Sequence, residues 1–274
     1  MKWAVNILPM VQKQESELAD AEQVYPVPYR ISYNGTSPKV LIVCEHASKY
    51  IPPAFQQLGL TAAEAESHIA WDPGALAVAK ELRNALEAVL VEGILSRLVY
   101  DCNRPPEANS AIPERSEIFD IPGNKALGNR DRRERVSKVY QPFARALANQ
   151  ISKHRVTLQQ MVTIHSFTPV FHGKPRDVEI GILHGRDPSF ALQMMSMVPE
   201  GNLYEVRLNE PYAARDGVAH TLDTHGAAND LPSVMIEIRS DLIRSEAQQK
   251  TMAKYLGNWI TETLNCTSDG EAPL

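Results

Sequence analysis

The 274-residue sequence carries neither GxGxxG nor GxxxxGK[ST], and neither GxSxG nor HExxH. Nucleotide binding, hydrolysis from a serine elbow and the usual zincin chemistry therefore lack support. Cysteine is scarce. Cys44, Cys102 and Cys266 are odd in number and show no CxxC spacing, which argues against a disulfide framework or a cysteine zinc knuckle and fits a reducing cytoplasm. No apolar run approaches the roughly 20 residues that span a bilayer. The opening MKWAVNILPMVQKQESE, interrupted at Asn6 and Pro9 and followed by no small-residue cleavage site, does not read as a signal peptide. Positive charge is not in excess either. The formal net charge is −5, and the densest cluster, Arg130, Arg132, Arg133 and Arg135, is interleaved with Asp131 and Glu134, as on a solvated helix turn. Nucleic acid is not an expected partner, nor is a membrane.

What is present is the composition of a folded globular protein, 43% hydrophobic and 22% charged, with no internal break that would force two domains. Residues 1–38 are polar, proline-containing and weakly periodic, and read as an N-terminal extension. One domain is expected over 39–266, with a short tail at 267–274. Val40 to Cys44 is a continuous apolar run, the pattern of a strand buried on both faces. Asp72 before Pro73 matches an N-cap, and three-and-four spacing then predicts a helix to Val91. Arg97 to Tyr100 reads as a second strand and 105–130 as a long irregular loop. A helix over 131–153, strands at 161–166, 178–183, 203–208 and 233–238, and a helix from Glu246 to Leu264 complete the pattern. Alternating strands and helices predict an α/β fold, three αβα layers round a mostly parallel or mixed sheet.

In open α/β sheets ligands bind beyond the carboxyl ends of the strands. Four apolar segments end there in polar residues: Glu45 and His46, Asp101 to Arg104, His165 and Ser166, and Glu237 to Arg239. Two strand-end histidines and a carboxylate make the three-ligand set of a catalytic zinc site with one position open for water. His46 and His165 are the candidate ligands. Asp72 is favoured as the third and Glu45 competes, although neighbours on an extended chain diverge; Asp72 acting simply as an N-cap is the plain alternative. Glu237, embedded in SVMIEIRSD, is the candidate general base, with a salt bridge to Arg239 as its structural alternative. Arg104, and less distinctively Arg176, suit a substrate carboxylate through the guanidinium fork; Asn103 and Ser166 are further substrate-binding candidates. His172, His184 and His225 lie where they could line the same mouth.

Taken in order, CEHASKYIP, DPGA, DCNRP, TIHSF, RDVEIGIL and LPSVMIEIRSDLI between residues 44 and 243 resemble the N-formylglutamate amidohydrolase family. That resemblance implies a zinc carboxypeptidase-like, phosphorylase/hydrolase-type fold and removal of a formyl group from N-formylglutamate. By the same likeness His46 and His165 would be metal positions, Glu237 the general base, and Asn103 with Arg104 the carboxylate clamp. The HxxE spacing of carboxypeptidases is absent, Lys49 standing in place of its glutamate, so Asp72 and Glu45 both stay open as third ligand. The expected activity is zinc-dependent hydrolysis of a small N-acyl, in the first place N-formyl, amino acid. The alternatives are a deacylase or carboxypeptidase-like hydrolase acting on another amide, and a binding protein on the same fold.

Overall fold

The computed structural model describes residues 24–268. The N-terminal motif weighed as a signal peptide, most of the proposed extension and the last residues of the tail lie outside them. Seven strands form one sheet: β1 Tyr29–Tyr33, β2 Val40–Cys44, β3 Val89–Gly93, β4 Gln160–Phe167, β5 Ile180–Leu183, β6 Val206–Leu208 and β7 Ser233–Arg239, in the order β1-β3-β2-β4-β7-β5-β6. β3, β2, β4 and β7 run parallel; β1 pairs antiparallel with β3 and β5 antiparallel with β7, while β6 is parallel to β5. The helices are α1 Ala62–Glu66, α2 Ala75–Ala85, α3 Asn129–Arg135, α4 Gln141–Lys153, α5 Ser189–Ser196 and α6 Glu246–Ser268, with a π turn over Val136–Tyr140 joining α3 to α4.

The central strands read as uninterrupted apolar runs because both faces are covered. Val40, Ile42, Val162, Ile164, Val234 and Ile236 pack with residues of α2, α5 and α6 on one side. Leu41, Val43, Met161 and Met235 pack with Phe143, Leu147 and Ile151 of α4 on the other. This is the expected three-layer architecture, with a period of two sending alternate residues to opposite faces. Among the described residues no helix is long and apolar enough to cross a membrane.

Several local expectations are corrected. The helix predicted to Val91 stops at Ala85, because Glu87 turns the chain into the left-handed region at φ 48° and the apolar Val89, Leu90 and Val91 open β3, Val89–Gly93. Arg97 to Tyr100 is a buried turn rather than a strand; its place in the sheet is taken by β3. Asp72 does not cap α2: that role falls to Gly74, in the left-handed conformation at φ 84°, and there is no side-chain cap. Tyr29–Tyr33, within the segment read as an extension, supplies the edge strand β1. The long 105–130 loop is broken by a small hairpin pairing Arg115–Ser116 with Phe119–Asp120.

Gly93 shows how tightly fold and site are joined. Cys44 pairs with Glu92, so Gly93 stands level with Glu45, and a Cβ there would overlap the Glu45 carbonyl oxygen. Gly93→Ala should therefore destabilise the protein by about 1–3 kcal/mol, the usual cost of overpacking. Urea denaturation reads this as a lower midpoint, and an unchanged midpoint would contradict the close approach.

Candidate metal-dependent hydrolase site

The register of the sheet brings the first residues together. Glu237 on β7 pairs directly with His165 on β4. Val43 pairs with Thr163, so Glu45, two residues further along, comes level with His165 from the other side. Three polar residues thus stand abreast at the carboxyl ends of adjacent parallel strands, on one face. Beyond Glu237 the neighbour is Gly181, where a Cβ would overlap the Glu210 carbonyl oxygen. The missing side chain lets the segment leading to Tyr212 fold in over the strand.

His46 and Asp72 approach from the loops. His46 Nδ1, His165 Nδ1 and Asp72 Oδ2 form a small triangle with edges of 3.3 Å from His46 to Asp72, 2.9 Å from His165 to Asp72 and 3.2 Å between the two nitrogens. Ligand atoms about 2.0–2.1 Å from a tetrahedral ion are themselves about 3.3 Å apart. The buried group could therefore hold a metal ion, and its two imidazole nitrogens and one carboxylate oxygen suit a divalent one. The far nitrogens of both rings face carboxylates: His46 Nε2 lies 2.7 Å from Asp101 Oδ1 in a hydrogen bond, and His165 Nε2 lies at ion-pair distance, 3.1 Å, from Glu45 Oε2 without hydrogen-bond geometry. Carboxylates behind ligating histidines fix the ring orientation and raise basicity. The two carboxylates that competed in the sequence thus take different places, Asp72 at the point of convergence and Glu45 behind His165.

Arg97, which the sequence did not single out, links the two sides of this arrangement. Its Nη1 donates to Asp72 Oδ1 at 3.3 Å and its Nη2 to Asp101 Oδ2 at 3.1 Å. Nothing in its sequence context separated it from the many solvated arginines, because Asp72 lies in another loop and Asp101, four residues on, becomes a partner only where the turn folds back. Burial works against ionisation of Asp72 and Asp101, but the adjoining imidazoles, with Arg97 beside Asp101, more than offset it and hold both carboxyls low. Burial also disfavours charge on His46 and His165; their carboxylate neighbours outweigh it and push both pKa values up. Glu237 is the exception. Burial raises its pKa to about 7, the nearby Asp72 charge adding to the effect, and its Oε2 is buried with no hydrogen-bond partner among the described residues. The alternative pairing with Arg239 does not occur, since that guanidinium is held by Glu179 and Asp241.

His46, Asp72, His165 and Glu237 face a cavity of about 220 Å³ that is also lined by Arg97, Asn103, Arg104, Ser166, Tyr212, Asp216 and Val218. Arg104 donates from Nη1 to the carbonyls of Gly217 and Asn103 and sits 3.9 Å from Asp101 through Nε. The Asn103 amide is engaged by the backbone, donating to Val218 O at 2.6 Å and accepting from Thr221 N at 3.0 Å. Ser166 Oγ donates to Pro73 O and its amide to Asp72 Oδ2. Arg176 does not line the cavity; its guanidinium stacks against Phe171, Tyr212 and Phe167 and donates to the Tyr212 hydroxyl. Of the other histidines, His184 is bonded to Asn209, His172 sits in a hairpin turn, and His225 is pushed down to about 4 by burial.

A family model for N-formylglutamate amidohydrolases matches residues 38–244. The chain belongs to the N-formylglutamate amidohydrolase family. It is accordingly an amidohydrolase, and every residue of the triangle and of the wall facing it falls within the matched span. The crystal structure of gene product Atu2144 from Agrobacterium tumefaciens is similar at TM-score 0.85 and 46% identity, over 88% of this chain and 96% of that one. N-formylglutamate amidohydrolase from Ralstonia eutropha JMP134 shares the fold at TM-score 0.60 and 17% identity, over 89% of this chain and all of that one. No curated protein matches the chain.

The amide of Asn103 holds the family member's 217–221 segment against the cavity. Asn103→Ala leaves a buried carbonyl and a buried amide unpaired, which should cost about 1–3 kcal/mol and raise hydrogen exchange at the Thr221 amide. Unchanged exchange and denaturation would mean that other contacts hold the segment.

Proposed function

We propose that this amidohydrolase removes the acyl group from an N-acyl amino acid, N-formylglutamate being the reference substrate, with one zinc ion held by His46, Asp72 and His165. The observation that carries this reading is the triangle of ligand atoms beside a buried carboxylate, Glu237, whose pKa lies near 7 and whose Oε2 has no protein partner. Zinc accords with the mixed nitrogen and oxygen donors, three protein ligands being the usual number at a catalytic site. When bound, the ion polarises the amide carbonyl and makes water acidic enough to attack at neutral pH.

The remaining work falls to side chains. Glu237, ionised at the start, accepts a proton from the attacking water and returns it to the amine nitrogen as the C–N bond breaks, so that amide and water become acid and amine. Arg104 offers Nη2, which has no protein partner among the described residues, to the substrate carboxylate, while its Nη1 stays on the Gly217 carbonyl. Asn103 fixes the segment bearing that carbonyl, and Ser166 lines the same cavity. Arg176 acts from behind the wall, through Tyr212. A cavity of about 220 Å³ suits an amino-acid-sized ligand; it is smaller than the roughly 300–1,000 Å³ of drug-sized sites. The buried thiols of Cys44 and Cys102 accord with work in a reducing cytoplasm.

Zinc-loaded protein should hydrolyse N-formylglutamate, and chelation or Glu237→Ala should each lower kcat by about 10²–10⁴-fold, the usual worth of a positioned base. Arg104→Ala should act mainly on KM. Activity indifferent to both chelation and Glu237→Ala would sink the reading. Independently of turnover, zinc at about 100 times its Kd should stabilise the fold by about 2.7 kcal/mol, seen as a higher Tm that Asp72→Ala abolishes.

A further inference from the structure

Tyr212 lines the catalytic cavity together with the triangle, Arg97 and Glu237. The sheet explains its place. Gly181 on β5 is the neighbour of Glu237, and the Glu210 carbonyl occupies the space that a Cβ on Gly181 would need. Two residues after that close approach, the chain delivers Tyr212 beside Glu237.

The Tyr212 hydroxyl has a proton to give and no protein group that takes it. Its oxygen accepts from Arg176 Nη2 at 2.9 Å, and among the described residues no acceptor meets its O–H. A hydroxyl can accept and donate at once, and with its oxygen occupied by a fixed donor its proton is turned elsewhere. Arg176 is fixed. Its guanidinium lies 4.4 Å from the Phe171 ring centre, 4.9 Å from that of Tyr212 and 5.4 Å from that of Phe167, with Nη1 on the Thr168 carbonyl at 3.4 Å. Among the described residues it meets no carboxylate, so its charge acts in full on the phenol and strengthens the O–H as a donor. Burial pushes the phenol pKa up and the Glu237 charge adds to this, while Arg176 and Arg97 offset only part of it. Tyr212 therefore keeps its proton at neutral pH.

We infer that Tyr212 is a catalytic hydrogen-bond donor of this hydrolase, its O–H directed at the amide carbonyl oxygen, and that Arg176 is the positioning residue that holds it there. The inference rests on the hydrolase reading above and adds a donor at the oxygen on which negative charge develops. As water adds to the carbonyl carbon, the electron pair of the C=O π bond moves to oxygen. A hydrogen bond between neutral partners thereby becomes one to an anion, which is the stronger kind. Tyr212 keeps its proton throughout, and the proton of the water still passes by way of Glu237 to the amine nitrogen. Stabilisation that grows only in the transition state shows in kcat and leaves KM little changed.

The test uses the zinc-loaded full chain. Tyr212→Phe, which keeps the ring, should leave Tm and KM for N-formyl-L-glutamate little changed and lower kcat by about 10²–10³-fold, the usual worth of one oxyanion donor. Arg176→Met should lower kcat by about ten-fold in the wild type and hardly at all in Tyr212→Phe, as for two residues that act as one. Binding supplies a readout apart from turnover. The methylphosphonamidate of L-glutamate, whose P–O oxygens stand where the oxyanion forms, should bind Tyr212→Phe at least about ten-fold more weakly than the wild type. N-formyl-L-glutamate should bind Glu237→Gln equally with and without Tyr212→Phe. A folded Tyr212→Phe that keeps its kcat, or its affinity for the phosphonamidate, overturns the inference and leaves the hydrolase reading intact. So does a shift in the acid limb of the pH profile of kcat/KM without loss of that affinity, because the hydroxyl then serves Glu237. If the wild type hydrolyses no N-acyl amino acid, the hydrolase reading falls and the phosphonamidate alone decides: weaker binding to Tyr212→Phe upholds the donor, and equal binding rejects it.

Discussion

The carboxylate of Asp72 is the contact on which the site depends. One of its oxygens meets both imidazole Nδ1 atoms and the amide of Ser166, and the other accepts from Arg97. A buried carboxylate is tolerated only when it is paired and hydrogen-bonded, and here its partners come from β4, from the segment after β2 and from the turn before Asp101. The loops over the carboxyl ends of the strands are therefore tied to one another through a single charged group. Asp101 repeats the arrangement one step outward, joining His46 to Arg97 and to the backbone amide of Asn103.

This concentration of charge also explains the unequal behaviour of the acidic residues. Glu45, Asp72 and Asp101 each touch an imidazole and stay ionised despite burial. Glu237 stands beside His165 in the sheet but makes no such contact with Oε2, so desolvation dominates and its pKa rises to about 7. Chemically similar side chains on one surface are thereby sorted into groups that hold histidines and one group able to exchange a proton near neutrality.

Beyond the charged centre the molecule uses aromatic packing. Arg176 is enclosed by three rings, and Tyr212, which receives its hydrogen bond, lines the cavity that holds the triangle.

The order of apolar runs was enough to reveal the α/β class, because strands buried on both faces must be continuously apolar, and the polar residues that end those runs marked His46, His165 and Glu237 as belonging to one mouth. Local spacing misplaced β3, since a helix-compatible run and a buried strand differ only at the left-handed Glu87. The separate places of Asp72 and Glu45, the bridging position of Arg97 and the turning of Arg176 into an aromatic wall were decided by the tertiary structure. Each depends on which strand lies beside which, and a sequence carries the residues of a sheet without the neighbours that register assigns to them.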